Sequence, residues 1–368
     1  MLRICGNEFR EAFSMVHMLV EENYAGNSRI DLILEGIMSV IRKKRIYIKR
    51  YRRIDEIDKS ARVVILICAS LKWATDTVER LNDMGIHPLL FGFQYIDTMY
   101  RYSCVTLTYT KTMYLLTGYL LSKNAGDTAL LGFNSDSLPD RLKLIGVRHA
   151  TDKYGVECKV FQNEGNVREC IEAFAKESEG IKNIVCANDG IAVILRGLYP
   201  ELLEDRQMCS CSGMRVSEFT QSPHPTSIIN YFKAGVQLAE LYFFLLRCEE
   251  IPSTVTQLEM DIVLGNGEVD GTMPFIGMVY SRYSVDFYGD KLIREVEGLD
   301  RMLIQCDETD MAILRHITKD VPYEDIAERE HLALNTVKYR IHAMLKNAEL
   351  DSRKELLGMI RKYQLVFE

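Results

Sequence analysis

Polar side chains stand directly after two of the buried-strand patterns in this sequence. Arg141 begins a predicted helix behind one apolar run and a loop that contains Asp136, while Asn188 and Asp189 follow another. In open α/β sheets, ligands bind at the carboxyl ends of strands. A guanidinium there can hold hydroxyls, a carboxylate or a phosphate. The four residues predict a small-molecule site. In the alternative interpretation, Asp189 only caps its helix, and Arg141 only pairs with a neighbouring aspartate.

A second set of polar residues lies on one face of a predicted helix near the C-terminus. A short helix at 323–330, a three-residue break and a longer helix at 334–347 have helix-turn-helix dimensions. Asn335 is placed to cap the longer helix. The face opposite its apolar residues carries side chains of the types that contact phosphates and base edges, namely Thr336, Lys338, Tyr339, Arg340, His342 and Lys346. The pattern favours a DNA-contacting helix over a helical oligomerisation module with a solvated charged face.

The distribution of charge supports the DNA-contacting interpretation. The chain of 368 residues has a formal net charge of −7, which argues against a protein that packages nucleic acid over its whole surface. Residues 307–330 include eight acidic and three basic residues, whereas residues 331–363 include seven basic and three acidic ones. We therefore expect DNA contact to be confined to the C-terminal end.

The sequence carries no pattern for catalysis or for a metal ion. The motifs G-x-S-x-G and H-E-x-x-H and the phosphate-binding loop are absent. Cys209 and Cys211 come closest to a zinc ligand pair, but one residue separates them and no second pair follows. We predict no catalytic residue, no metal site, no cofactor and no enzymatic activity.

Patterns that would direct the chain to a membrane or out of the cell are also missing. No apolar run reaches the ~18–20 residues that a membrane-spanning helix needs. The first residues lack the apolar core of a signal peptide, and the scattered cysteines are typical of reduced, buried thiols. We expect a cytoplasmic protein without a membrane partner.

Alternating strand and helix patterns position both sets of polar residues. Short apolar runs indicate buried parallel strands at 15–20, 45–51, 62–69, 87–93, 127–133, 156–161, 181–187 and 207–212. Amphipathic stretches between them predict an α/β fold with parallel sheets and right-handed crossovers, and the number of strands favours two lobes. A charged connector helix at 290–303 follows, and then short helices are predicted at 308–318, 323–330, 334–347 and 352–363.

The C-terminal segment 307–356 resembles the LuxR/GerE-type DNA-binding domain. The resemblance rests on Ile326-Ala, Thr336-Val-Lys and Ser352-Arg-Lys-Glu-Leu, which fall at the family's spacing. It implies that Thr336 and Lys338 touch DNA and that the last helix helps the domain to dimerise. One departure is Asn347, which stands where the family usually has an apolar residue, so packing onto the last helix is expected to differ.

The region 16–275 resembles the LacI/GalR-type ligand-sensing domain, which is related to type I periplasmic binding proteins. The likeness lies in the order and spacing of short segments that begin at His87, Gly118, Ala129, Asp140, Ala187 and Thr226. It implies two α/β lobes around a cleft, a homodimer and a small-molecule effector. The positions that it assigns to ligand contact are Arg141 and Asn188 in the second lobe, and Asn27, Ser70 and Trp73 in the first.

Two departures from the LacI/GalR pattern change the expectation. Sugar-binding members usually carry an acidic residue where Gly213 or Met214 stands here, so a pyranose clamp at this place is not expected. The family's N-terminal DNA-binding helices have no counterpart, and the C-terminal module takes their place. The expected organisation is an N-terminal arm (1–14), a two-lobed α/β sensor domain (15–285), a helical connector (286–305) and an all-α helix-turn-helix domain (306–368).

Two further features leave alternatives open. Trp73, the only tryptophan, is either a platform on which a ligand stacks or a packed anchor of its loop. The basic run 42–53, interleaved with Tyr47 and Tyr51, is either a second nucleic-acid contact or a strand with solvated outer positions; the strand is favoured because apolar residues alternate with the charges.

Together these patterns predict a ligand-responsive, DNA-binding transcriptional regulator. A sugar, a nucleoside or a similar molecule would bind in the cleft between the lobes and control the C-terminal helix-turn-helix on operator DNA. The alternative is a small-molecule-binding protein that does not bind DNA and whose helical tail mediates protein assembly.

Overall fold

A computed structural model describes residues 15–22, 28–42, 46–68, 71–92, 99–135, 137–221, 223–264, 268–269 and 290–367. Its strands are β1 Met15–Val20, β2 Tyr47–Tyr51, β3 Val63–Ile67, β4 His87–Phe91, β5 Ser103–Leu107, β6 Thr128–Phe133, β7 Cys158–Gln162, β8 Asn183–Cys186, β9 Gln207–Cys209, β10 Thr226–Ile228, β11 Val255–Leu258, β12 Asp261–Leu264 and β13 Glu268–Val269. Its α-helices are α1 Ser28–Ile41, α2 Leu71–Asp83, α3 Tyr109–Lys123, α4 Leu138–Tyr154, α5 Val167–Glu177, α6 Asp189–Leu198, α7 Tyr231–Arg247, α8 Lys291–Gln305, α9 Glu308–Thr318, α10 Tyr323–Arg329, α11 Leu334–Asn347 and α12 Arg353–Lys362.

These elements form two compact units. The first unit contains the described residues between 15 and 108 and between 229 and 260. It is built on a six-stranded sheet in the order β11-β5-β4-β3-β1-β2, in which every pairing is parallel. Strands β3 and β4 are buried along their whole length, as a parallel sheet covered on both faces requires.

Helices α1 and α7 of the first unit cross at two glycines. A Cβ atom at Gly36 would lie 2.1 Å from the carbonyl oxygen of Phe232, and one at Gly235 would lie 2.0 Å from that of Ile33. Real Cβ atoms do not come this close to a carbonyl oxygen, so the crossing depends on both glycines. The two backbones therefore touch directly over the sheet.

The second unit contains the described residues between 109 and 228 together with 261–264, 268–269 and 290–367. Its main sheet has the order β7-β6-β8-β9, again with only parallel pairings. Helices α3 and α4 cross at Gly146, whose Cβ would lie 2.2 Å from the carbonyl oxygen of Thr110. A small antiparallel sheet, β10-β12-β13, completes the strands of this unit.

The tail helices α8 to α12 belong to the second unit. Helix α8 buries Val296, Leu299 and Leu303, which share one face at helical spacing. Four shorter helices follow it. The sequence pattern indicated a separate C-terminal domain, whereas the structure groups these helices with the second sheet in one compact unit.

The predicted parallel α/β architecture is confirmed. A strand is present at each of the predicted apolar runs, and helices α9 to α12 begin and end within one residue of their expected bounds. The prediction missed β5 and β10 to β13. Strand β5 is buried, but it includes the polar residues Ser103 and Thr106. Its sequence is therefore not a continuous apolar run, and it was not recognised as a buried strand. In the described part of the chain, no helix is both long and apolar enough to span a membrane.

Candidate functional site

Helices α10 and α11 form a tight helix-turn-helix in the second unit. The turn between them contains His331, which adopts a left-handed backbone conformation with φ of 55°. The amide of Leu332 donates a 2.9 Å hydrogen bond to the carbonyl oxygen of Ala327, which closes the end of α10. Ile326 of α10 and Val337 of α11 are fully buried. The apolar faces therefore point inward, and this orientation turns the opposite face of α11 outward.

The outward face of α11 carries most of the polar residues that the sequence predicted for DNA contact. Tyr339 leaves 74% of its surface exposed, although it lies in the middle of the helix. The other exposed members of this set are Asn335, Lys338, His342 and Lys346, and Thr336 is half-buried. Two lysines, a histidine and an aromatic ring on one exposed helical face can contact phosphates and base edges.

The structure corrects the role expected of Asn335. Helix α11 begins at Leu334, and the residue before it, Ala333, makes no side-chain capping hydrogen bond. Asn335 lies inside the first turn, so it does not cap the helix. Its exposed amide remains on the side of the helix that carries Lys338.

Arg340 differs more strongly from its expected role. Its guanidinium lies 2.9 Å from a carboxylate oxygen of Asp307 and 2.9 Å from one of Asp310, and 29% of its side chain is exposed. These carboxylates belong to the capping box of α9. Hydrogen bonds to Asp310 and Asp307 raise the pKa of Arg340. Arg340 therefore fixes α11 against the start of α9 and is engaged within the protein.

The strand-end residues of the second unit lie along one edge of its sheet. Strands β6 and β8 are adjacent and parallel, so the residues that follow them come out at the same edge. Arg141 is exposed and donates from Nε to the carbonyl oxygen of Ser135 at 2.6 Å. Asn188 caps α6, because its Oδ1 accepts a 3.1 Å hydrogen bond from the amide of Ile191. The sequence offered Asp189 as the cap of this helix, whereas the structure gives that role to Asn188.

The structure gives Asp189 a structural role in place of the ligand contact that we expected. Its carboxylate is fully buried and accepts hydrogen bonds from the hydroxyls of Ser210, Thr226 (2.7 Å) and Ser217 (3.3 Å). The backbone amide of Met214 adds a fourth, at 2.5 Å. Burial raises the pKa of Asp189, and these donors act in the opposite direction. Asp189 therefore fastens the segment 210–217 and strand β10 to the start of α6.

Ser210, His224 and Asp189 are close together but do not form a nucleophilic site. The Ser210 hydroxyl donates directly to Asp189, and its oxygen lies 2.7 Å from Nε2 of His224. The histidine therefore donates to the serine and cannot take its proton. Burial lowers the pKa of His224 to about 3, so the ring is neutral. Ser210 is fully buried as well, and the three side chains tie the fold together.

Sequence reasoning missed Lys143, which organises the same sheet edge. Its ammonium is buried, 2.9 Å from a carboxylate oxygen of Asp140 and 2.7 Å from the carbonyl oxygen of Ala187. Asp140 in turn accepts a 3.1 Å hydrogen bond from the amide of Asn134. This pair links the loop after β6 to the end of β8. The spacing of three residues between Asp140 and Lys143 was the available signal.

The remaining predicted ligand residues are distributed as follows. Trp73 lies in the first unit and is half-buried in the first turn of α2, since that helix begins at Leu71; the sequence placed Trp73 in a loop. Asn27, Ser70 and Asp136 lie outside the described residues. Arg141, Asn188 and Asp189 belong to the second unit and follow two strands that end at the same edge of its sheet.

The cysteine pair and the basic run of the sequence have the following places in the structure. Cys209 and Cys211 are fully buried, and burial raises the pKa of both thiols. Within the residues that the structure describes, no cluster of three or more histidine, cysteine, aspartate or glutamate side chains could hold a metal ion. The basic run includes β2, at one edge of the first sheet, where Tyr47 and Lys49 are exposed.

Solved structures share this fold. No protein-family model matches the chain, and no curated protein matches it in sequence. A LacI family transcriptional regulator from Enterococcus faecium with bound ribose matches 68% of this chain and 98% of its own, with a TM-score of 0.52 and 16% identity. The chain has the fold of LacI-type regulators and periplasmic sugar-binding proteins.

Two other solved structures have a similar fold. The transcriptional regulator CelR in complex with cellobiose matches 69% of this chain and 84% of its own, with a TM-score of 0.55 and 15% identity. A glucose-galactose binding protein from Geobacillus stearothermophilus, GanP, matches 68% of this chain and 98% of its own, with a TM-score of 0.56 and 12% identity. At such identities the likeness establishes the fold.

Proposed function

We propose that this protein is a ligand-responsive transcriptional regulator that binds operator DNA through α11. The observation that carries the proposal is the outward face of α11, where Lys338, Tyr339, His342 and Lys346 are exposed on the second helix of a helix-turn-helix. The sensor fold in the same chain supports it, since similar solved structures include transcriptional regulators with bound sugars.

The effector in this proposal is a small polar molecule at the carboxyl edge of the second sheet. Arg141 is exposed there, and its guanidinium can hold hydroxyl or carboxylate oxygens. Met214, near the place of the usual acidic sugar ligand, is buried and its amide is committed to Asp189. We therefore infer that Arg141 is the principal polar anchor and that Asn188 contributes from the neighbouring strand end.

The proposed regulator acts as a homodimer. Helix-turn-helix proteins commonly read two half-sites about one helical turn apart, ~34 Å, so two copies of α11 are needed for one operator. Ligand and operator affinities would then be reciprocally coupled, because each ligand favours one arrangement of the pair.

Binding to DNA is tested with α11 variants of the full chain. The probe is a duplex from upstream of the protein's own gene, titrated by fluorescence anisotropy. We expect Thr336→Ala with Lys338→Ala to weaken binding at least roughly tenfold, since each good base or phosphate contact contributes ~1–3 kcal/mol. Lys319→Ala, an exposed lysine at the end of α9, is the matched control and leaves the affinity unchanged.

Two outcomes would contradict this part of the proposal. One is a wild-type protein that shows no salt-sensitive binding to the duplex. The other is a double variant that binds as well as wild type. If the double variant instead changes the sedimentation coefficient and DNA has no effect, the tail mediates protein assembly.

The effector part has its own test. Sugars (including D-ribose and cellobiose), nucleosides and amino acids are screened by thermal shift against the full chain. Arg141→Ala is expected to abolish the shift that any of them produces, whereas Arg148→Ala, exposed on the same helix α4, is expected to retain it. A shift that survives Arg141→Ala would contradict the assigned site, and no shift with any compound would contradict these effector classes.

A further inference from the structure

Helix α8 is fixed to the α/β part of the second unit at two places, its start and its far half. At its start, Asp290 caps α8 by accepting a 2.7 Å hydrogen bond from the amide of Leu292. The other oxygen of Asp290 accepts a 2.9 Å bond from the amide of Val167, the first residue of α5. One carboxylate therefore accepts hydrogen bonds from the N-termini of two helices, α8 and α5. A negative charge is favourable at a helix N-terminus.

The far half of α8 holds the turn that follows β9. Asp300 is fully buried and accepts a 2.8 Å hydrogen bond from the amide of Val216, in the 3-10 turn Arg215–Phe219. The same turn contains Ser217, whose hydroxyl donates to Asp189. Asp189, at the sheet edge, thus holds Met214 and Ser217, and Asp300, in α8, holds Val216 between them.

The opposite side of α8 touches the end of α11. A Cβ atom at Gly298 would lie 2.5 Å from the carbonyl oxygen of Ala348, so the two backbones are in direct contact. Arg301 adds an ion pair with Glu349, just beyond α11. Helix α8 is therefore in contact with both the turn Arg215–Phe219 and the end of α11.

The last residues of the chain form a second connection. Tyr363 is fully buried and donates from its hydroxyl to Glu295 of α8 at 2.8 Å. Beyond it, Leu365 pairs as an antiparallel bridge with Thr220, and the amide of Val366 donates a 2.7 Å bond to the carbonyl oxygen of Phe219. The segment 363–367 is thus attached to the same turn that α8 holds.

We propose that α8 and the segment 363–367 transmit the state of the sheet-edge segment 210–217 to α11, with Asp300 as the positioning residue. The proposal rests on the regulator function proposed above and names how its DNA-contacting helix is controlled. Close-packed interfaces shift between discrete arrangements, so a displaced turn carries α8 and α11 with it.

The segment 210–217 is suited to respond to a ligand. It follows β9 at the carboxyl edge of the sheet, beside the end of β8. Ser212 holds a φ of 98°, a conformation that is strained for a residue other than glycine. Strain of this kind persists only where the surroundings enforce it, here through Asp189 and its partners. A ligand that binds at this edge of the sheet can therefore release or increase the strain at Ser212.

A double-mutant cycle in the full chain tests the transmission. Thr226→Val removes one donor to Asp189 at nearly constant volume, and Asp300→Leu removes the acceptor of the Val216 amide. Hydrogen exchange of the α11 amides is the readout. We expect Thr226→Val to accelerate exchange at least threefold in the wild-type background and to have no further effect in Asp300→Leu.

One control and one replacement variant keep the test decisive. Thr128→Val alters a threonine that is equally buried but bonds Gly126 at the opposite end of the sheet, and its effect is the same in both backgrounds. If Asp300→Leu does not fold, Tyr363→Phe, which removes the bond to Glu295, replaces it in the cycle.

The outcomes separate this proposal from the regulator function. Additive effects of the two substitutions, or no change of α11 exchange in Thr226→Val, would overturn the transmission. Absence of DNA binding in the wild type would overturn the function, whereas the exchange cycle would still be measurable.

Discussion

At the residue scale, His87 shows how burial links protonation to stability. The ring is buried at the start of β4, and its Nε2 lies 2.9 Å from the hydroxyl oxygen of Ser103. That hydroxyl donates to the carbonyl oxygen of Pro252 at 3.1 Å and accepts the amide of Thr254 at 3.0 Å. The imidazole must therefore donate to Ser103, which a neutral ring with its proton on Nε2 can do.

The pKa of His87 predicts a loss of stability in acid. Burial lowers the pKa to about 4 from an ordinary value of 6.5. Between these values the unfolded chain binds a proton that the folded chain does not, so the free energy of unfolding falls as the pH drops. We expect urea titrations from pH 7 to pH 4.5 to show that His87→Gln reduces this slope by up to ~1.4 kcal/mol per pH unit. His149→Gln, at an exposed position, is the control, and an unchanged slope in His87→Gln would contradict this prediction.

The identity of a residue predicts what it can bond, but its partner depends on distant parts of the chain. Lys338 and Arg340 stand two positions apart and both suit DNA, yet only Arg340 meets the carboxylates of α9. Asp189 is joined to Thr226, which lies 37 positions away. No local pattern in the sequence contains these pairs, so the candidate site was predicted as a set of residue types and not as a set of contacts.

At the element scale, the crossing of α8 with the end of α11 gives a prediction about glycine. Gly298→Ala would place a methyl group 2.5 Å from the carbonyl oxygen of Ala348, so the helices must separate. We expect a loss of ~1–3 kcal/mol in the free energy of unfolding, as for other overpacked sites. Thermal or urea unfolding of the full chain measures it.

Gly358 provides the matched control for this crossing. It lies in α12 with no atom within 4 Å of the position of its Cβ. Alanine there improves helix propensity and is expected to stabilise by ~0.5–1 kcal/mol. If both alanine variants stabilise the protein, the close contact between α8 and the end of α11 is not present in solution.

The elements themselves were largely predictable because hydrophobic periodicity reports burial. The tail helices α9 and α11 have the expected bounds, and the buried strands coincide with apolar runs. Strand β5 was missed because Ser103 satisfies its hydroxyl within the fold and can therefore stand in a buried strand. The N-cap of α11 was misassigned to Asn335, because the residue that holds this position, Ala333, has no side chain that can cap a helix.

At the scale of the whole molecule, the chain combines a LacI-type fold with a helical tail built into its second unit. The sequence indicated the amphipathic connector α8, since the periodicity of its apolar face is local. It did not reveal what that face covers, because Asp300 meets Val216, which lies 84 positions earlier. Long-range pairing of this kind decides whether a helical tail is separate or attached.

The net charge of the chain bears on how its affinity for DNA depends on salt. The chain carries −7 overall, so under the proposed function we expect favourable contact with DNA to be concentrated on the exposed basic face of α11. Each phosphate that a lysine neutralises releases condensed counterions, which makes the affinity depend steeply on salt. The salt dependence of binding therefore reports how many phosphates this face neutralises.

The most direct measurement is the affinity for the upstream duplex over a range of salt concentrations, in the wild type and in Lys338→Ala with Lys346→Ala. We predict a straight line of negative slope when the logarithm of the association constant is plotted against that of the salt concentration. The double variant should flatten this slope by about 1.8, or about 0.9 for each phosphate that is no longer neutralised. An affinity that does not change with salt, or an identical slope in the double variant, would contradict the assignment of α11 as the DNA-contacting helix.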